Sequence, residues 1–149
     1  MSPLSAALQR EIDIASRFLS VLEREQEALS ASNMLPLEQI NGEKAELIGL
    51  LNSASQEREQ FTGPISGSLA QWLKENSQDA EAAILWEKLS AVARQAKQTH
   101  ELNGKLIAMH LSRTSEALAI LTHRQQHNSL YGSDGQAFQT TGSRIVDSA

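Results

Sequence analysis

The chain has 149 residues, of which 40% are apolar, 4% aromatic and none cysteine, and it carries a formal net charge of -5. That length and composition fit one domain with an aliphatic core, and they exclude disulfides, thiolate metal sites and cysteine nucleophiles. The acidic balance repels nucleic acid phosphates, and no apolar run reaches the roughly 18 residues that a membrane-spanning helix needs.

The opening residues, Met1-Ser2-Pro3-Leu4, carry no basic or apolar leader, so no secretory signal is read and the cytoplasm is the expected compartment. A first helix is expected from about Pro3 to Ser30, with Ser2 as N-cap and Pro3 at the first helical position. Leu8, Ile12, Ala15, Leu19, Leu22 and Leu29 follow alternating steps of four and three, with Gln26 in the remaining slot. This is a heptad seam. Ile14, Phe18, Val21 and Ala28 widen the stripe toward a second neighbour, so at least three helices should meet. Arg24, Glu25 and Glu27 lie off the seam and are expected in solvent.

Asn33 and Pro36 mark a short connection, which implies an antiparallel second helix from Pro36 to about Gln60. Leu37, Ile40, Leu47, Leu51 and Ala54 continue the pattern. Lys44 and Arg58 fall on the same stripe. Two readings stay open for them: apolar stems on the seam with charges reaching water, or specific ion pairs to the first helix or to a client. Asn41-Gly42 is a turn-prone pair, but the seam keeps its phase across it, so one continuous helix is expected.

Residues 62–68, TGPISGS, cannot continue a helix cheaply. A short helix over Leu69–Glu75 should follow, and then a third long one from about Ala80 to Asn128. Its seam holds Leu85, Leu89, Val92, Ala96, Leu106, Ala117 and Leu121, and its register drifts at Thr99, Asn103, His110 and Arg113. The expected fold is all-α: an elongated antiparallel bundle or coiled coil of three long helices with a short connecting helix. The domain should cover residues 1–129, and a Gly/Ser/Thr-rich tail over 130–149 is expected to be flexible.

Reactive constellations are scarce. His123 and His127 can share a helix face, but Arg124 stands where a metalloprotease needs Glu. No Glu stands three residues before a His, as a di-iron bundle requires. No enzyme activity, metal or cofactor is expected. Trp72 and Trp86 flank the segment between the second and third long helices, where they either anchor it to the bundle or offer rings to a partner. Tyr131 begins the tail, as a ring that caps the last helix or docks into a partner pocket.

Three stretches resemble the FlgN-type flagellar export chaperones. They are the acidic run LEREQEAL closing at Leu29, the spacing of Leu37, Lys44, Leu47, Leu51 and Arg58, and Asn103, Leu106, Leu118 and Leu121 followed by LYGSDG from Leu130 to Gly135. Ser133 departs from the proline expected in that tail motif. The resemblance implies a cytoplasmic chaperone that holds hook-associated (hook–filament junction) proteins by their C-terminal helical segments before secretion. It also implies that Tyr131 docks at a membrane component of the export gate. Client contacts are expected at Leu106, Met109, Leu118 and Leu121, methionine being adaptable at binding surfaces. The partners are then proteins, with no nucleic acid and no membrane insertion, and the chain is a monomer or weak dimer. A self-associating coiled-coil scaffold without a client is the alternative.

Overall fold

The computed structural model describes residues 1–63, 68–76 and 79–130, with side chains through 124 outside the two gaps. Its described residues form four helices and no strand: α1 (Pro3–Ser30), α2 (Leu37–Thr62), α3 (Leu69–Glu75) and α4 (Ala80–Leu130). The fold is all-α. The chain divides into two compact units, residues 1–106 and 107–149, and α4 runs through both.

Each helix start is capped as its sequence allows. The Ser2 hydroxyl accepts the Ser5 N–H at 3.0 Å, with Pro3 in the first turn of α1. Ser68 accepts the Gln71 N–H at 3.2 Å, and Asp79 accepts the Ala82 N–H at 3.1 Å. Only α2 lacks a side-chain cap; Pro36 occupies that position in a helical conformation. The α2 helix runs unbroken through Asn41-Gly42, since both residues face solvent. It stops at Gly63, whose φ of 67° and ψ of -174° suit only glycine.

The end of α1 is a Schellman closure. Asn33 N–H donates to the Ala28 carbonyl at 2.9 Å, and Ser32 N–H donates to that of Leu29 at 3.1 Å. Glycine usually occupies the left-handed position of this motif, but here Ser32 does, at φ 54°. Ser32→Gly should therefore raise the unfolding free energy by about 1 kcal/mol. Chemical denaturation followed by circular dichroism will read this as a higher midpoint at unchanged slope, and an unchanged or lower midpoint would contradict it.

Two faces of α1 organise the first unit. Leu4, Leu8, Ile12 and Ala15 pack with Leu69 and Leu73 of α3 and with Ala82, Leu85 and Leu89 of α4. Val21 packs with Ile40 and Leu47 of α2, supported by Ile14, Phe18 and Leu37. The widened stripe read from the sequence thus serves a second neighbour. Trp72 and Trp86 lie half-buried against the first cluster and anchor the connecting segment. The directions follow from the contacts. Arg10 pairs with Glu57 and Arg24 with Glu43, so α1 and α2 are antiparallel. Ser2 and Ser5 meet Asp79, while Leu22 and Glu25 meet Asn103, so α1 and the first part of α4 are parallel.

Candidate binding site

Four regions stand out among the described residues. The first is a buried polar contact among α1, α2 and α4. Glu25 is 2% exposed and Asn103 1%. Lys44 Nζ donates to Glu25 Oε2 at 2.9 Å, and Asn103 Nδ2 donates to Glu25 Oε1 and to the Leu22 carbonyl, both at 2.9 Å. This corrects the expectation that Glu25 is solvated. Lys44 is likewise a specific ion-pair partner of α1 rather than a cation reaching water. The Asn103 carbonyl oxygen is buried without a hydrogen bond.

The second is a stack about two turns from the other end of α1. Arg58 Nε lies 2.9 Å from Glu11 Oε2, and its guanidinium sits 5.1 Å from the centre of the Trp86 ring. The pair is close but poorly aligned, so Glu11 Oε2 and Arg58 Nε are both buried without a directed hydrogen bond. Burial pushes the Glu11 carboxyl above its ordinary range, and Arg58 opposes that shift. Asp79 moves the other way. The Ser2 hydroxyl, aided by the Ala82 N–H and Ser5, holds it below the usual carboxylate range.

The third is apolar and open. In the second unit, Ile107, Met109, Leu111, Leu118, Ile120 and Leu121 all stand exposed, with Met109 at 50%, Leu118 at 51% and Leu121 at 56%. A large apolar side chain in water forgoes about 1.5–3 kcal/mol of burial. Ile107, Leu111, Leu118 and Leu121 recur at helical spacing on one side of α4 and form a surface that favours cover, while Met109 and Ile120 lie on the opposite side. Of the four expected client contacts, Leu118 and Leu121 belong to this surface and Met109 does not. Leu106 closes the first unit and is half-buried. The seam read from the sequence does not include Ile107, Leu111 or Ile120. Tyr131 lies outside the described residues.

Within the first unit, a groove of about 600 Å³ opens between α2 and α4, with Ala15 and Phe18 of α1 in its floor. Ile48 and Leu51 line the α2 side, and Leu89, Ala93 and Ala96 line the α4 side. Ala93 and Ala96 are too short to fill the space. No group of three or more potential metal ligands occurs among the described residues. His123 is exposed, and the side chain of His127 lies outside the described set.

The FlgN protein family matches residues 1–138. The chain belongs to the FlgN family. No curated protein and no solved structure matches it. FlgN proteins are flagellar export chaperones, so the surfaces above belong to a member of a chaperone family. Such a chaperone needs apolar surface that is open in the free chain and closed in the complex. No helix of the described residues is long and apolar enough to cross a membrane.

Proposed function

We propose that this FlgN chain is a cytoplasmic chaperone for hook-associated proteins, binding a C-terminal amphipathic helix of its client on the exposed face of α4. The observation that carries this reading is the row of exposed side chains at Ile107, Leu111, Leu118 and Leu121, which 3.6 residues per turn places on one side of α4; Leu106 and Met109 remain proposed as flanking contacts. A client helix with apolar residues at i, i+3, i+4 and i+7 would lay them on this face. Cover of that kind keeps the client's assembly surface from meeting other subunits, with no covalent step. Tyr131, at the head of the tail, is the proposed contact with the export gate.

Charge favours a client over a second copy. From residue 94 to 124 α4 carries five basic residues, Arg94, Lys97, Lys105, Arg113 and Arg124, against Glu101 and Glu116, in a chain of net charge -5. Two such helices repel each other, whereas an acidic amphipathic helix is attracted.

The test uses Leu118→Asp with Leu121→Asp. Two carboxylates on the docking face should weaken binding of a hook-associated client's C-terminal segment by at least ~100-fold. The helical circular dichroism should not change, because both positions are exposed. Calorimetric titration reads the first effect, and undiminished affinity would reject the face. A concentration-dependent dimer that the same pair dissolves would favour the scaffold reading instead.

A further inference from the structure

We infer that the groove between α2 and α4 in the first unit is a second docking site, built for an acidic amphipathic helix of a partner protein. It rests on the reading of this chain as a binding protein, but not on the exposed face of residues 107–121.

Shape sets the occupant's size. The groove follows α4 from Trp86 to His100, which is about 21 Å or four turns at 1.5 Å per residue. Its volume of about 600 Å³ lies within the ~300–1,000 Å³ typical of sites that bury a ligand. The surfaces offered to an occupant are apolar. Ile48 stands 46% exposed on one lip, Phe18 and Leu51 form the base, and Ala93 and Ala96 let a helix backbone come close. A single helix with three or four apolar side chains in one stripe fits such a slot. A flat or extended partner would leave the base unfilled.

Charge sets the occupant's sign. Four ionisable residues line the groove: Glu11, Lys44, Lys97 and His100. Two are already engaged, Glu11 by Arg58 and Lys44 by Glu25. Among the described residues lining the groove, the groups left for a partner are Lys97 and His100, both on the α4 lip, and no carboxylate there lacks a basic partner. Acidic residues flanking the occupant's stripe therefore gain attraction, and basic ones meet repulsion. This argues against a second copy of the chain. Its own exposed apolar stretch, from 107 to 121, lies on the helix that is basic from Arg94 onward.

The test is a charge swap. Two fluorescent peptides of about 16 residues, or ~24 Å as helix, carry the same leucine stripe flanked by Glu in one and by Lys in the other. The full chain should bind the Glu peptide at least tenfold more tightly by fluorescence anisotropy. Lys97→Glu should reverse that order. Ile48→Asp should weaken the Glu peptide at least tenfold, and Ala93→Leu should do the same by filling the slot. Leu118→Asp with Leu121→Asp should leave it unchanged, which separates this site from the client face.

Equal binding of both peptides, no binding, or indifference to Ile48→Asp and Ala93→Leu would overturn the inference. So would loss of binding in the Leu118/Leu121 variant, which would place the peptide on the distal face. Self-association abolished by Ile48→Asp would assign the groove to a second copy and overturn it too. Ile48 and Lys97 are exposed, so melting curves of their variants should match that of the parent.

Discussion

Lys44→Met is expected to lower the unfolding free energy by about 3–5 kcal/mol, although the new side chain is apolar and of similar length. The reason is Glu25. Its side chain is 3% exposed, and its two oxygens are satisfied by Lys44 and Asn103. Removing the ammonium leaves a buried carboxylate with one neutral donor, and Asn103 supplies no positive charge. The exposed pairs behave differently: Arg10 with Glu57 and Arg24 with Glu43 have side chains 33–51% exposed, and such pairs contribute at most about 1 kcal/mol each. A double variant, Lys44→Met with Glu25→Leu, should recover most of the loss, because no charge is then left in the core. Urea denaturation of the three proteins measures this directly. A loss below about 1 kcal/mol in Lys44→Met would mean that Glu25 finds water when its partner is gone.

That contact also shows where sequence reading stops. The helix limits were legible because they depend on neighbours in the chain: Ser2-Pro3 opens α1, Pro36 precedes α2, and Gly63 closes it. The two packing faces of α1 were legible for the same reason, since a 3.6-residue period turns spacing into direction. Glu25 was not. Within LEREQEAL it looks like one of a solvated acidic run, and its burial arises only when Lys44 and Asn103 reach it from helices 19 and 78 residues away in sequence. A trace was present: a lysine and an asparagine sat on seam positions, where a buried polar partner would explain both. The groove left less trace. It arises because Ala93 and Ala96 face Ile48 and Leu51 across a gap that their volumes do not close, and that depends on helix spacing, which periodicity does not encode. The exposed apolar side of α4 proposed for the client was half legible. Leu121 lay on the seam and Leu118 entered through the family resemblance, while the exposure of Ile107, Leu111 and Ile120 beside them became visible only in the structure.

Arg58→Met is expected to destabilise the first unit by about 3 kcal/mol at pH 7 and by clearly less at pH 5. Arg58 holds Glu11 on α1 and lies over Trp86 on α4, so its removal takes away an ion pair and a cation–aromatic contact together. The pH dependence comes from Glu11. Burial already raises its carboxyl above the ordinary value, and the Arg58 charge beside it pulls it back. Without Arg58 the upward shift grows. The folded state then binds this proton more tightly than the unfolded chain does, so stability falls as pH rises between the unfolded value and the raised folded one. Lowering the pH through that window restores stability to the variant more than to the parent.

Asp79 does not confuse the reading. Its carboxyl is shifted downward, so its contribution is complete above the unfolded value and is lost only in stronger acid. The stack also has its own control. Arg58→Met with Glu11→Leu removes both charges, and its stability should come within about 1 kcal/mol of the parent and lose the added pH slope. Melting curves at pH 5 and pH 7 for the parent and both variants decide the matter. An equal deficit at the two pH values in Arg58→Met would show that the loss is packing on Trp86 alone, and that Glu11 reaches solvent once its partner is gone.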